Sequence, residues 1–158
     1  MRYNEIVDGK VFRAYQEETI AADGTLIFQF TTPPNKTVIF EKINVVALSQ
    51  SVRLISYEVD NLTEGSTPMY VINSNFALET PPNTTLTSDP TGINGRKKKS
   101  SMLIPAMSSE PSNKTITPFT LSDDNFSILK PGTNYTIELT NNGDAETIVD
   151  VQILFREL

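Results

Sequence analysis

The C-terminal stretch Ile128–Glu157, ILKPGTNYTIELTNNGDAETIVDVQILFRE, decides the fold. Apolar and polar side chains alternate on both sides of Asn-Asn-Gly-Asp, and a period of two is typical of strands with one buried face. The apolar positions of the two strands are Tyr135, Ile137 and Leu139, then Val149, Val151, Ile153 and Phe155. Asparagine and glycine supply the positive φ angles of a tight connection. The stretch therefore predicts a hairpin that closes a hydrophobic core, with a turn before it at Pro131–Gly132.

The same period recurs along the rest of the chain. In residues 25–32, TLIFQFTT, one face carries Leu26, Phe28 and Phe30. Residues 36–47, KTVIFEKINVVA, have charges inside an apolar run. Such a run indicates a twisted or bulged strand that is open to solvent on one side. In residues 52–60, VRLISYEVD, the predicted core face consists of Arg53, Ile55, Tyr57 and Val59.

Strands and turns follow one another without a convincing helix, and we count roughly nine or ten short strands. This pattern predicts an all-β fold, a single antiparallel β-sandwich that is jelly-roll-like, with an up-and-down barrel as the alternative. Residues 79–118 are rich in Pro, Thr, Ser, Asn and Lys. They are predicted to form long loops around one or two short strands in the middle of the chain. The sandwich domain is predicted to span residues 23–158, preceded by an N-terminal segment, residues 1–22.

The composition excludes several kinds of chemistry. The 158-residue chain has no Cys and no His, so Ser-His, Cys-His and zinc-thiolate mechanisms have no residues to use. A net charge of −6 argues against nucleic acid as a partner, because phosphates would be repelled. The sequence has no apolar run of about 18 residues, and its N-terminus is charged, unlike a secretion signal. We expect no membrane partner, no cofactor, no metal and synthesis in a cytoplasm.

One basic cluster stands out in this acidic chain, within GRKKKS: Arg96, Lys97, Lys98 and Lys99. It is either a solvated loop tip or a contact point for an acidic surface such as a partner subunit. The pair Asp123–Asp124 in SDDNFS is a carboxylate pair in a turn. Its surroundings lack the pattern of oxygen ligands of a calcium site, so an ordinary turn is the favoured interpretation.

The N-terminal segment supplies a second candidate interface through Val11, Phe12 and Tyr15. It is predicted to serve as a docking arm or as a strand exchanged between subunits, with the first strand of the fold as the alternative. Exposed aromatic side chains on a sheet can also form a platform for sugars. The tyrosines are scattered through the sequence, and core packing explains most of them.

Five segments follow one another in a recognisable order. They are DGTLIFQFTTPPNKTVIFEKINVVAL, SYEVD, EGSTPMYVINSNF, DPTGINGRKKKS and FSILKPGTNYTIELTNNGDAETIVDVQILFRE. This order resembles a family of small virion proteins of tailed bacteriophages, the head-decoration or auxiliary capsid type. The resemblance extends from Gly24 to Glu157 and is most specific at its C-terminal end. The segment STPMYVINSNF departs from the family pattern, because it lacks an Asn-Arg step.

The resemblance implies a structural protein without enzymatic activity that binds the outside of the assembled capsid. Its partner would be the major capsid protein, and a homo-oligomer, favoured as a trimer, would suit the threefold positions of an icosahedral shell. The protein would be made in the cytoplasm of the bacterial host and end on the capsid surface of the virion. The alternative is a receptor- or glycan-binding module of a head fibre or tail. A carboxylate-based depolymerase is the third hypothesis.

Overall fold

Two antiparallel β-sheets face each other in the computed structural model, which describes residues 2–107, 119–120 and 127–158. The predicted all-β sandwich is confirmed. Each main sheet has six strands, and a further two-stranded sheet accompanies them. The hydrophobic core lies between the two main sheets, because the apolar faces of both contribute to one cluster of buried side chains.

The described chain has one short helix and fourteen strands. The first elements are α1 (Arg2–Val7), β1 (Val11–Ile20), β2 (Thr25–Thr31), β3 (Val38–Ala47), β4 (Val52–Val59), β5 (Asn61–Thr63), β6 (Thr67–Pro68) and β7 (Tyr70–Asn73). The others are β8 (Thr85–Ser88), β9 (Thr91–Asn94), β10 (Lys97–Ile104), β11 (Phe119–Thr120), β12 (Ser127–Leu129), β13 (Asn134–Asn141) and β14 (Thr147–Glu157). The middle of the chain therefore has three strands, β8 to β10, where one or two were predicted, and residues 108–118 lie outside the described part.

Consecutive long strands alternate between the two sheets. The first sheet has the order β11-β3-β14-β1-β7, with β12 also paired to β3, and the second has the order β10-β4-β13-β2-β8-β6. The chain thus crosses between the sheets after β1, β2 and β3, and again between β12, β13 and β14. Long strands that follow one another in the sequence therefore pack against each other across the core through their apolar side chains. They do not pair side by side through backbone hydrogen bonds.

Aromatic side chains join the two sheets at the centre of the core. The ring of Phe155 on β14 stacks on Phe12 of β1, with 5.4 Å between ring centroids. It also meets Phe30 of β2, in the opposite sheet, edge-on at 5.2 Å. Phe30 contacts Phe40 of β3 in the same edge-on manner at 5.5 Å. Each such buried ring contributes about 1.5–3 kcal/mol of transfer free energy before the entropy cost of ordering it.

The predicted core faces of β2 and β14 are confirmed. Their buried side chains are Leu26, Phe28, Phe30, Val149, Val151, Ile153 and Phe155. The turn at Pro131–Gly132 is also confirmed, with Gly132 at φ 58°.

The charges inside β3 coincide with a bulge, as predicted. Leu154 of β14 lies opposite Lys42, whereas the next residue, Phe155, lies opposite Phe40. Glu41 is therefore an extra residue in β3. Because side chains alternate along a strand, one extra residue moves the core face from even-numbered to odd-numbered positions.

The predicted C-terminal hairpin is wrong, because β13 and β14 belong to different sheets. β13 pairs with β2 and β4, whereas β14 pairs with β1 and β3. The connection between them is an arch from one sheet to the other. No residue from Asn141 to Glu146 has a positive φ angle, so the predicted tight-turn backbone is wrong as well. A hairpin and an arch bury the same alternating positions, which is why the periodicity did not distinguish them.

Asn141 holds this arch in place from a fully buried position. Its side-chain Nδ2 donates to the carbonyl oxygens of Ile20 at 3.1 Å, Ala21 at 3.2 Å and Ala145 at 2.8 Å. Its Oδ1 accepts the backbone N–H of Gly143 at 2.9 Å. One amide thus satisfies backbone groups of both the arch and the connection between β1 and β2.

Glu157 fastens the C-terminal strand to the segment before β8. Its buried carboxylate accepts hydrogen bonds from the backbone N–H and hydroxyl of Thr84, both at 2.6 Å, and from the backbone N–H of Asn83 at 3.1 Å. Burial by itself disfavours the charge, but these hydrogen bonds outweigh it and hold the pKa of Glu157 below its usual value.

The core face predicted for β4 is the wrong one. Leu54 lies in the core, whereas Ile55 and Tyr57, on the predicted face, are only half-buried. Ser56 and Glu58 lie on the same side of the strand as Leu54 and led the prediction away from it. Their polar groups form hydrogen bonds and ion pairs within the chain. A polar residue at these two positions therefore does not indicate a solvent-exposed face.

The N-terminal segment, residues 1–22, contributes α1 and β1 in its described part. β1 lies inside the first sheet, between β14 and β7. The side chains of Val11 and Phe12 are 2% and 3% exposed and belong to the core of the chain itself. They have no free surface for a docking partner, and β1 takes the place of the first strand of the fold.

Replacing Asn141 with alanine should lower the free energy of unfolding by about 2–3 kcal/mol, because buried carbonyl groups lose their donor. Urea unfolding followed by circular dichroism measures the change. The exposed neighbour Asn142 is the matched control, and its alanine variant should stay within about 0.5 kcal/mol of the parent. Equal urea midpoints for the two variants would contradict the role given to Asn141.

Candidate interaction surface

The predicted basic cluster lies at the start of β10, the last strand of the second sheet in the described chain. Gly95, at φ 70°, and Arg96 connect β9 to β10. The side chains of Lys97, Lys98 and Lys99 are therefore on an edge strand and not on a loop tip, which corrects that interpretation. Exposed lysines on an edge strand discourage pairing with another strand.

Two members of the cluster form ion pairs with acidic residues of this chain. Arg96 donates through Nε to Glu138 at 3.0 Å and through Nη2 at 3.3 Å, and its guanidinium lies 5.8 Å from the centre of the Tyr57 ring. Lys97 Nζ lies 3.2 Å from an oxygen of Asp60. These charges are partly neutralised within the chain and are less available to an acidic partner.

Lys99 joins a third ion pair, built on a bulge of β10. The pairing with β4 shifts between Lys98 and Ser100, which makes Lys99 the extra residue. Its Nζ lies 3.0 Å from Glu58, and Lys130 Nζ approaches the same carboxylate at 2.9 and 3.1 Å. The hydrogen bonds from Lys130 and then Lys99 lower the pKa of Glu58 to about 2. Lys98 has none of the ion pairs found among residues 2–107, 119–120 and 127–158.

Tyr15 is the one residue of the predicted N-terminal interface that reaches the surface. It is half-buried on β1 and lies opposite Tyr70 of β7, with 6.5 Å between ring centroids. The Tyr70 side chain is 67% exposed. Two neighbouring tyrosines thus mark the end of the first sheet, although they are far apart in sequence.

Arg156 anchors α1 to the first sheet. Its Nη1 donates to Glu5 of α1 at 2.5 Å, and its Nε forms an ion pair with Glu41 at the β3 bulge. Burial opposes the charge of Arg156, but the hydrogen bond to Glu5 and the charge of Glu41 outweigh it and raise its pKa. The helix is therefore fixed on the sandwich by charge as well as by chain continuity.

Four exposed apolar side chains lie on α1 and on the segment after β7, and a hydrogen bond joins these two segments. Tyr3 and Val7 lie four residues apart on one side of α1 and are 74% and 50% exposed. Phe76 is 78% exposed, and Leu78 is 39% exposed. The Nδ2 of Asn75 donates to the carbonyl of Val7 at 2.9 Å, which holds the two segments together. We call Tyr3, Val7, Phe76 and Leu78 the apolar corner, and exposed clusters of this kind mark interaction surfaces.

The apolar corner was not predicted from the sequence. The helical spacing of Tyr3 and Val7 is visible in the sequence, but residues 67–78, TPMYVINSNFAL, read as one strand with a polar interruption, which does not separate Phe76 and Leu78 from β7. β7 ends at Asn73, whose side chain accepts the backbone N–H of Asn75 at 2.9 Å and turns the chain away from the sheet. Phe76 therefore points away from the core. The cause is the hydrogen bond between Asn73 and Asn75, which the alternation of apolar and polar residues does not reveal.

Two other sequence predictions concern metal ions and membranes. Asp123–Asp124 lies outside the described residues. Within the described ranges, no group of three or more acidic side chains is placed to hold a metal ion. The helical part of residues 2–107, 119–120 and 127–158 is too short to cross a membrane.

Comparison with known proteins gives no assignment. No model of a known protein family matches this chain, and no curated protein is significantly similar to it.

Replacing Glu58 with glutamine should flatten the acid dependence of stability. A carboxyl whose pKa is lowered to about 2 on folding contributes stability that is present above its unfolded value and lost as the pH falls through the folded value. Thermal melting between pH 5 and about pH 2 measures this: the parent should lose more stability in that window than Glu58→Gln does. The exposed Glu64 is the control, and Glu64→Gln should follow the parent curve. Parallel curves for all three proteins would contradict the Glu58 assignment.

Proposed function

We propose that this chain is a structural virion protein of a tailed bacteriophage that binds the outside of the assembled capsid and catalyses no reaction. The observation that carries the proposal is the apolar corner, a group of exposed apolar side chains held on a rigid sandwich. The sandwich supplies a fixed frame, and Arg156 ties α1 to it. A preorganised surface loses little conformational entropy on binding, which favours a lasting contact with a partner protein.

The resemblance of the sequence to head-decoration proteins supports the same proposal. It implies the major capsid protein as the partner and the capsid surface of the virion as the location, after synthesis in the cytoplasm of the bacterial host. A trimer is the oligomer we favour, because a closed threefold assembly fits the threefold positions of an icosahedral shell. Three linked copies gain affinity from multivalency without any new type of contact.

The jelly-roll classification of the sandwich also stays a proposal. The support is the strand order: β1, β14, β3 and β12 are neighbours in one sheet, and β2, β13, β4 and β10 are neighbours in the other. A jelly roll wraps two Greek keys in eight strands, and this alternation of sequential strands between sheets is compatible with that winding. Many capsid-associated domains use the architecture, but a fold alone does not establish a function.

Replacing both Tyr3 and Phe76 with serine should weaken binding to capsids by about tenfold or more, because truncating interface anchors commonly costs over 1 kcal/mol each. Empty expanded capsids of the phage that encodes the chain are mixed with the purified protein, and the bound fraction is measured by sedimentation. Exposed positions contribute little to folding, so the melting temperature should stay close to that of the parent.

Leu103→Ser is the matched control for this experiment. Leu103 is 48% exposed on β10, an edge strand of the second sheet, whereas Arg156 anchors α1 on the first sheet, so the Leu103 variant should bind capsids like the parent. Point substitutions are preferable to removal of the N-terminal segment, because truncation would also remove the buried Val11 and Phe12. Failure of the parent protein to bind capsids would refute the proposed function itself.

The second candidate function is a receptor- or glycan-binding module of a head fibre or tail. The adjacent side chains of Tyr15 and Tyr70 support it, since aromatic faces at a sheet surface can stack on sugar rings. Under this alternative, the parent is retained on host polysaccharide and does not bind capsids, and Tyr70→Ala abolishes the retention. If Tyr70→Ala leaves capsid binding intact and no polysaccharide retains the parent, the alternative is excluded.

A further inference from the structure

A cavity of about 440 Å³ lies between the two sheets, on the side of the sandwich bounded by β10 and β12. Its inner wall is formed by core side chains, among them Phe30, Phe40, Leu54 and Ile137. Ligand pockets in proteins commonly measure about 300–1,000 Å³. The cavity is therefore large enough for a small molecule with an extended apolar part.

The wall of the cavity favours an apolar occupant. The half-buried Phe40, Leu129 and Tyr135 supply apolar surface to this cavity, and Ile128, which is 66% exposed, also lines it. Among the residues that the structure describes, this apolar surface is left open, and an apolar occupant would remove it from water. Water gains little there, because a buried water needs several polar partners. An alkyl chain would cover this surface without bringing a polar group into the apolar part of the cavity.

The rim of the same cavity carries a net positive charge. Lys99 and Lys130 line it together with Glu58, which gives two cationic groups against one carboxylate. The Lys99 and Lys130 side chains are 48% and 66% exposed, so each ammonium keeps donors free on its solvent side. The hydroxyl of Tyr135 accepts the backbone N–H of Lys130 at 3.0 Å and fixes that residue at the rim.

We propose that this cavity binds a free single-chain amphiphile with an anionic head, a fatty carboxylate being the simplest form. The alkyl chain lies between the sheets, and the head pairs with the ammonium groups of Lys99 and Lys130 on the side opposite Glu58. A cationic head would meet two like charges, and a neutral head would form no ion pair. Charge-assisted hydrogen bonds are roughly twice as strong as neutral ones, which selects the anion.

The site is independent of the proposed capsid contact. The apolar corner belongs to α1 and the segment after β7, whereas the cavity opens between β10 and β12. β7 and β12 are at opposite ends of the first sheet. Loss of amphiphile binding should therefore leave capsid binding unchanged, and the converse should also hold.

The test uses the full chain and three probes of equal length: dodecanoate, dodecanol and dodecyltrimethylammonium. Isothermal titration below the micelle concentration should show saturable binding of one dodecanoate per chain. Dodecanol should bind at least about tenfold more weakly, and the trimethylammonium probe weaker still. Sedimentation with phosphatidylglycerol vesicles separates a free amphiphile from a lipid in a bilayer, and we expect the protein to remain in the supernatant.

Two kinds of variant locate the site. Lys99→Met with Lys130→Met should raise the Kd for dodecanoate about tenfold, close to the value for dodecanol. Lys98→Met is the matched control, since Lys98 is on the same strand but does not line the cavity, and it should bind like the parent. Ile137→Phe reduces the cavity volume and should weaken both dodecanoate and dodecanol.

Several results would overturn the proposal. They are absence of saturable dodecanoate binding, equal affinity for dodecanol and dodecanoate, and an unchanged Kd in the double lysine variant. The proposal would also be rejected if the protein sedimented with the vesicles but did not bind dodecanoate. The lysine substitutions are at exposed positions, so the test does not depend on whether Ile137→Phe folds.

Discussion

The edge-on contact between Phe30 and Phe155 is the interaction on which the rest of this structure depends. It joins a strand of one sheet to a strand of the other, and Phe12 and Phe40 extend it on both sides. Because β1 to β4 and β12 to β14 alternate between the sheets, each connection within these two runs spans the thickness that these rings set. The arch held by Asn141 and the strand end held by Glu157 lie at the margins of the same interface.

Ion pairs determine which surfaces remain available to a partner. The chain is acidic overall, yet its basic cluster is largely matched with its own carboxylates, Glu58, Asp60 and Glu138. Such exposed pairs contribute little to stability individually, but they remove most of the positive surface that the sequence suggested. Lys99 and Lys130 instead converge at the rim of a cavity, and exposed apolar side chains gather at α1. The groups that the folded protein offers to a partner therefore differ from those that the charge pattern of the sequence suggests.

The alternation of apolar residues correctly predicted the sandwich and the buried faces of β2 and β14, and the charges inside β3 predicted a twisted or bulged strand, which the structure shows as a bulge at Glu41. These features depend on the order of apolar, polar and charged residues within one strand. That order can be read from the sequence without knowing which strands are neighbours. The prediction for β4 failed because Ser56 and Glu58 find partners on β10 and beside β12, which no local pattern reveals. The hairpin failed for the same reason: whether β14 pairs with β13 or with β1 depends on distant strands.

Strand character, the turn at Pro131–Gly132 and the exclusion of histidine and cysteine chemistry follow from the amino-acid sequence, because backbone preference and side-chain inventory are local properties. Three features were decided only by the tertiary structure: the assignment of strands to sheets, the in-chain neutralisation of Arg96, Lys97 and Lys99, and the joining of the segments that carry Tyr3 and Phe76. Each of them depends on residues that are distant in sequence and meet only when the two sheets pack. The physical reason is that burial and Coulomb energy depend on spatial distance, which the order of residues does not contain.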